Sequence, residues 1–313
     1  MRDALLRDLS ELNQYQLISM VDARLLPSDY ASKNLMVAAG KFNQVFKKAL
    51  KDADLVWLIA PETNGVLLEL TELCLATEEK EGGATFLGCG YDATLAGTSK
   101  SLSFEALKSA NIGTLAVYSG DELMQTAYFN SVAQLNHLQW LAKPEDGAGC
   151  EGIRLFDSLD ALRLWLKQDD RYLNYFAQTY QSGISASFSM ICRDGKGWLL
   201  SGNQQHIKCT NGQFKLTGIS VNSMQNYSQR FETLARKIAK MLPDALGYIG
   251  VDVIIDTQNG DIFVIDINPR LTSSYTGLRE AIGHNPAQLI LSCILEPHFK
   301  LPVLQKNIVE IAL

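Results

Sequence analysis

A mixed α/β chain with α+β character in its C-terminal part is predicted by three observations. Over the first 90 or so residues, helix-periodic and strand-like segments alternate, the order that builds a small parallel α/β unit. After residue 175, four apolar strand patterns follow one another across short polar turns, the form of a mostly antiparallel sheet. Near the C-terminus, two strands at 248–256 and 261–267 are joined through Asn259-Gly260 and carry acids inside apolar runs.

The elements follow in order. Leu5, Leu6, Leu9 and Leu12 recur at helical spacing over 2–13, 17–22 is a short apolar strand, and 41–51 is helical. The continuous apolar run 55–60, closed by Pro61, suits a strand buried on both faces. A helix over 65–77 and a strand at 85–87 complete this unit. It has no G-x-G-x-x-G after its first strand and so is not a standard dinucleotide binder. Thr98-Ser99 caps a helix over 100–110 that Gly113 ends. A strand at 115–118, a helix at 121–134, a strand at 139–143, a glycine-rich stretch at 146–152 and a helix at 159–168 come next. Strands at 175–180, 186–193, 197–206 and 215–220 precede a helix at 228–241, the acidic strands and a last helix at 285–295. Three units are expected, at 1–96, 97–177 and 178–313.

Composition excludes several classes. The 313 residues are 47% hydrophobic and 20% charged, an ordinary globular balance. A net charge of −6 argues against a nucleic-acid partner. No uncharged apolar run approaches the ~18 residues a membrane helix needs, so no membrane partner is expected. The N-terminal residues mix acids and bases and lack a signal-peptide core, so the expected location is cytoplasmic. The six cysteines form no C-x-x-C and the four histidines complete no zinc pattern; the cysteines read as reduced, mostly buried small hydrophobes.

The strongest chemical signal lies at 247–270. Period-two alternation places Asp252 opposite Ile249, Val251, Val253 and Ile255. On the next strand, Asp266 and Asn268 share one face, and Phe263, Ile265 and Ile267 take the other. Facing residues of an antiparallel pair share a side, so Asp252 must oppose the 266/268 set. A three-residue loop with Gly260 in the left-handed region pairs 252 with 266; a two-residue Asn-Gly turn would not. Two carboxylates and an amide oxygen on one face suit Mg²⁺ when phosphates complete its shell. A solvated edge hairpin would show polar residues too, but an acid inside so apolar a strand is costly unless paired or metal-bound.

A second signal is Lys143 at a strand end before the glycine-rich turn. Gly147, Gly149 and Gly152 allow main-chain N–H groups to approach phosphate oxygens, with the lysine as a point charge. No G-K-[ST] opens a helix there, and a hairpin turn beside a surface lysine has the same appearance. A third is 175–183, where Gln178 is followed by Thr179 and Tyr180 on a strand whose exposed main chain suits a base edge; any amphipathic strand reads alike.

In order, these segments resemble the ATP-grasp superfamily of carboxylate–amine ligases over residues 90–295 or so. The resemblance implies the ATP-grasp fold: a small N-terminal parallel α/β domain, a lid subdomain carrying the glycine loop, and a C-terminal antiparallel sheet with helices. It implies ATP and Mg²⁺ (or Mn²⁺), with Lys100 and Lys143 on the phosphates, the glycine loop over them, and Gln178, Thr179 and Tyr180 at adenine. Asp252, Asp266 and Asn268 would be the metal ligands, and Arg270 would face the γ-phosphate or an acylphosphate. The E-x-N-x-R glutamate of the family is Asp266 here, one methylene shorter, and Gln178 stands where Glu is frequent. In the 203–206 strand segment, Asn203 is preferred over His206 as a phosphate contact, and Gln181 or Ser185 are the candidates for ribose.

Segments 59–70, 87–100 and 267–279 are similar to the tyramine–glutamate ligase branch. That likeness implies small-molecule partners, an amino acid and an amine, and leaves a homo-oligomer open. Glu62, Thr272, Ser273, Tyr275 and Arg279 are its substrate candidates, with Glu62 facing the ammonium and Tyr275 an aromatic amine. The acid at 62 also reads as an exposed loop residue, and Tyr275 and Arg279 as surface packing.

Overall fold

The computed structural model describes residues 1–145 and 150–313. The N-terminal part holds two parallel strand pairs, β1 (Ile18–Asp22) with β2 (Lys33–Val37) and β3 (Leu55–Val56) with β4 (Thr85–Phe86). The expected parallel order is present but divided between two small sheets. The apolar run 55–60 contributes only two residues to a ladder, because its partner offers just Thr85 and Phe86 before Gly88. Leu58 and Ala60 are nonetheless core, packed with Leu67, Leu70, Cys74 and Phe86 beneath the helix Val66–Glu78.

The middle of the chain forms an antiparallel sheet from β5 (Val117–Ser119), β6 (Trp140–Pro144), β7 (Arg154–Phe156) and β8 (Tyr175–Thr179), in the order β7-β6-β8-β5. Trp140, Ala142 and Ala177 pack against Leu159, Leu162 and Leu166 of the helix Leu159–Leu166. The helix expected over 121–134 is broken at Gln125, whose extended backbone separates Gly120–Met124 from Thr126–Val132.

The C-terminal sheet contains β9 (Ile184–Arg193), β10 (Lys196–Thr210), β11 (Gln213–Val221), β12 (Gly247–Ile255), β13 (Ile262–Asn268) and β14 (Val309–Ala312). Its order is β13-β12-β9-β10-β11, with β14 on β11, and the Gln213–Arg154 pair of β11 and β7 joins it to the middle strands as one sheet. One face is apolar: Ala186, Phe188, Met190, Val251 and Val253 pack on Phe231, Ala235 and Ile238 of the helix Ser228–Met241. A Thr114–Val264 bridge brings the segment before β5 beside β13. Among the described residues, no helix is long and apolar enough to cross a membrane.

Candidate nucleotide and metal site

Asp252 opposes Asp266 across β12–β13, as the alternation of the sequence requires. The route differs from the expected one. Near the turn, Ile255 pairs with Ile262, and Asp256 donates its N–H to the Asp261 carbonyl, so four residues turn the chain. Continued unchanged, that register would set Asp252 against Ile265. A β-bulge between Asp252 and Val253 leaves Ile265 as the extra residue and advances β13 by one, which restores Asp252 to Asp266. Gly260 does lie in the left-handed region, with φ of 77°. The bulge also corrects the face of two residues. Ile262, Val264 and Ile267 are core, whereas Ile265 turns to the site side and lines a cavity with Lys100 and Gln178.

The acids are tied from several strands. Lys100 Nζ, on the first turn of the helix Lys100–Ser109, lies 2.5 Å from Asp266 Oδ1, and Ser99 Oγ caps that helix through Leu102 N. Asp252 accepts from Gln205 Nε2 at 2.8 Å and from Asn268 Nδ2 at 3.2 Å. Burial and the facing Asp266 carboxylate push the Asp252 carboxyl up to about 6, against the opposing pull of those hydrogen bonds and Lys100. Two carboxylates held close at such a cost are a donor set that a hard cation would relieve. Among the described residues no three or more His, Cys, Asp or Glu gather as a metal cage. The pair therefore fits a Mg²⁺-type ion whose remaining ligands come from phosphates or water, not a fully protein-built site.

Lys143 on β6 donates to Gln178 Oε1 at 2.7 Å, and Gln178 Nε2 donates to the Leu115 carbonyl, so the amide is locked across β6, β8 and the segment before β5. Burial lowers the Lys143 ammonium to about 8, with Lys100 adding repulsion and Asp266 opposing it. Between the helix Lys100–Ser109 and this sheet lies an apolar cavity walled by Phe104, Val117, Phe176 and Ile265 and edged by Lys100 and Gln178. Gly147 and Gly149 lie outside the described residues. Cys150 and Gly152, which follow in the chain, both have positive φ.

Arg270 is placed by the strand end and held by the N-terminal part of the chain. Its Nη2 lies 2.5 Å from Glu62 Oε2, and its Nη1 donates to the Leu271 carbonyl. Glu62 is not an exposed loop acid: its side chain is 8% exposed and that of Arg270 13%.

Several expected site residues have other duties. Asn203 is fully buried; its side chain accepts from Asn222 N–H and reaches Ser187 Oγ, so it fastens β10 to its neighbours and contacts no open space. The residue of that segment that reaches the acids is Gln205, two positions on and on the same strand face. Tyr180 commits its N–H to the Gln139 carbonyl and rests its ring on Phe214, so that N–H is unavailable to a base. Thr179 ends β8 opposite Trp140. Tyr275 is fully buried and donates to Asp8 Oδ2, while Arg279 pairs with Asp8 and Glu11 of the N-terminal helix. Both tie the segment after Arg270 to the N-terminal helix and its end. Thr272 shares a hydroxyl network with Tyr248, Ser189 and Ser274. Ser273 starts the short 3₁₀ turn Ser273–Gly277 and its carbonyl accepts from Thr276 Oγ1.

Sequence reasoning missed Gln205, Ile265 and Phe176, and of the polar row Ser185, Ser187 and Ser189 on β9 it singled out Ser185 alone. The S-x-S-x-S spacing at 185–189 was the available signal, since period two puts all three beside Gly250, Asp252 and Ile254.

Comparison with known proteins places this geometry. Residues 15–93 match the pre ATP-grasp 3 domain and residues 99–274 the ATP-grasp domain. The chain is 26% identical over 239 residues to a tyramine–L-glutamate ligase of Methanocaldococcus fervens, covering 76% of this chain but 65% of that protein's length. The corresponding ligase of Methanocaldococcus jannaschii is also 26% identical, over 89% of this chain and 77% of its own. Among solved structures, the biotin carboxylase domain of Hydrogenobacter thermophilus 2-oxoglutarate carboxylase superposes with a TM-score of 0.75 at 17% identity, covering 97% of this chain and 70% of that one. That likeness shows the fold. With more than half of its residues inside the ATP-grasp domain match, the chain belongs to the ATP-grasp family.

Proposed function

We propose that this protein is an ATP-dependent, ADP-forming ligase that joins a carboxylate to an amine, with glutamate as the acid and tyramine or a related aromatic amine as the acceptor. The observation that carries the reading is the opposed Asp252–Asp266 pair set beside Lys100, with Lys143 held on β6 by Gln178. In this reading the acid's carboxylate oxygen attacks the γ-phosphorus of ATP and ADP leaves. The amine then attacks the acyl carbon, phosphate departs, and the amine nitrogen loses its proton. Lys100 and Lys143 bind phosphate oxygens and Arg270 faces the transferred group, so the chain positions and neutralises charge without a covalent nucleophile. Gln178 would face the adenine edge, beside the apolar side chains Phe104, Val117, Phe176 and Ile265. Asp252, Asp266 and Asn268 would hold Mg²⁺, or Mn²⁺, which when bound spreads the phosphate charge.

The choice of glutamate and tyramine is supported by the two ligases to which the chain is similar. The test is incubation with Mg·ATP and glutamate, with and without tyramine, following ADP and the amide by mass spectrometry. Amide formation is expected. ADP released with hydroxylamine as acceptor but never with an aromatic amine would keep the ligase and discard tyramine. No ADP with any acid and acceptor would leave an ATP-binding protein without turnover.

A further inference from the structure

Asp252 and Asp266 are neutralised unequally. Asp266 has the Lys100 ammonium at 2.5 Å, whereas Asp252 accepts only from the neutral amides of Gln205 and Asn268. A buried carboxylate without a cation draws in a guanidinium that can reach it, because a charge-assisted hydrogen bond is roughly twice as strong as a neutral one. Arg270 is within reach. Its Nη2 lies 3.5 Å from Asn268 Oδ1, and the other end of that amide, Nδ2, donates to Asp252 Oδ2. One side-chain amide separates the guanidinium from the acid.

What keeps it away is Glu62. The same Nη2 lies 2.5 Å from Glu62 Oε2, and both side chains are largely buried. Glu62 sits on an anchored turn. Gly65 donates its N–H to the Glu62 carbonyl, Asn64 and Gly65 both take the left-handed region, and the helix Val66–Glu78 that follows is fixed by Leu67 and Leu70 in the N-terminal core. The turn holds the acid in place, so the arginine comes to it. Among the described residues no third acid joins Asp252 and Asp266 as a metal cage, so Glu62 is not itself a ligand. We infer that Glu62 is a positioning residue: it holds Arg270 clear of Asp252, which leaves that carboxylate open to the metal ion and the guanidinium available to the transferred group. This deepens the ligase reading and rests on it. It also gives Glu62 a task on the nucleotide side of the site, in place of the amine contact the sequence suggested. Freed of Glu62, the guanidinium would fold onto Asp252, and a metal ion would have to displace it.

The experiment is a Mn²⁺ titration of the full chain holding saturating ADP, with the free ion followed by electron paramagnetic resonance. Wild type, Glu62→Gln, Arg270→Met and the double variant are compared. Glu62→Gln is expected to weaken Mn²⁺ binding at least about tenfold, the value of one charge-assisted hydrogen bond that must break before the ion can enter. Arg270→Met should strengthen binding at least about tenfold in the Glu62→Gln background, and change it about threefold or less in the wild type. A charge acting only at a distance would give the same factor in both backgrounds, and that equality overturns the proposal. So does a Glu62→Gln variant that binds Mn²⁺ as tightly as wild type. Glu62→Asp, which keeps the charge, is expected to retain most of the affinity. Circular dichroism checks folding, and Glu62→Ala takes the place of Glu62→Gln in the cycle if that variant is unfolded. Wild-type protein that takes up no Mn²⁺ would remove the metal site and the ligase reading together. Mn²⁺ uptake with equal factors would remove only the role of Glu62.

Discussion

The acidic hairpin and the nine residues that follow Arg270 are consecutive in the chain, and both looked like site. Their fates differ. On β12–β13 the ladder, with its one bulge, sets Asp252 against Asp266 and brings Asn268 within hydrogen-bond reach of Asp252. Beyond Arg270 the ladder stops. Thr272 turns into a hydroxyl network, Tyr275 is buried against Asp8, and Arg279 clasps Asp8 and Glu11. The lesson is that alternation transmits direction only while hydrogen bonds to a neighbouring strand enforce it. Past the last paired residue, side-chain direction is set by whatever the rest of the fold brings alongside, here the helix Arg2–Ser10.

Substitutions can break this contrast. The largest effect is expected at the hairpin. Asp252→Asn should lower turnover by at least about a hundredfold, since an oxygen donor facing the phosphates becomes an amide. The same change should stabilise the ligand-free protein. The Asp252 carboxyl sits at about 6, above its ordinary value near 3.8. Between those values the folded protein holds a proton that the unfolded chain has released, so stability falls as pH rises through about 6. Removing the ionisable group should raise stability at pH 7 by about 1–2 kcal/mol, read by urea denaturation. A variant that is both inactive and less stable would contradict the paired-carboxylate account.

Next comes Lys143. Lys143→Ala should cost about 2–4 kcal/mol in transition-state stabilisation and raise the ATP requirement, beyond any loss of stability from leaving Gln178 Oε1 without its donor. Near-normal kinetics would detach β6 from the active site. A smaller effect is expected on the other side of the comparison. Tyr275→Phe deprives the buried Asp8 carboxylate of one donor and should lower stability by about 1–2 kcal/mol, with kcat and KM of the folded enzyme unchanged. A selective rise in the KM for either substrate would return Tyr275 to the binding site. The smallest effect is a pH dependence. Burial holds the Lys143 ammonium at about 8, so its charge is lost in the free protein as pH rises past that point. ATP affinity, measured by fluorescence titration, should fall by up to about tenfold per pH unit above 8, and Lys143→Arg should flatten the curve.

The hairpin shows how far sequence reading reaches. The acids, the left-handed Gly260 and the shared face of Asp252 and Asp266 are all visible in residues 247–270, because hydrophobic alternation is a local property. The bulge at Ile265 is not visible: nothing in the apolar run 262–265 marks which residue will be extra, and the choice depends on how β12 is already held by β9. The same holds for Asn203 and Gln205. Both lie on one strand face, and only the neighbours of β10 decide that Asn203 is sealed inside while Gln205 reaches Asp252.

By itself, the sequence determined the periodicities, and with them the strand and helix succession, the polar and apolar faces of each strand, and the identity of the acids and lysines that could serve a phosphate. The tertiary structure decided which of those groups meet. Glu62 finds Arg270 across 208 residues, Lys100 finds Asp266 across 166, and Asp8 gathers Tyr275 and Arg279 from more than 260 residues away. Such pairings follow from sheet order and domain contact, which depend on burying apolar surface across the whole chain, and no local pattern encodes them.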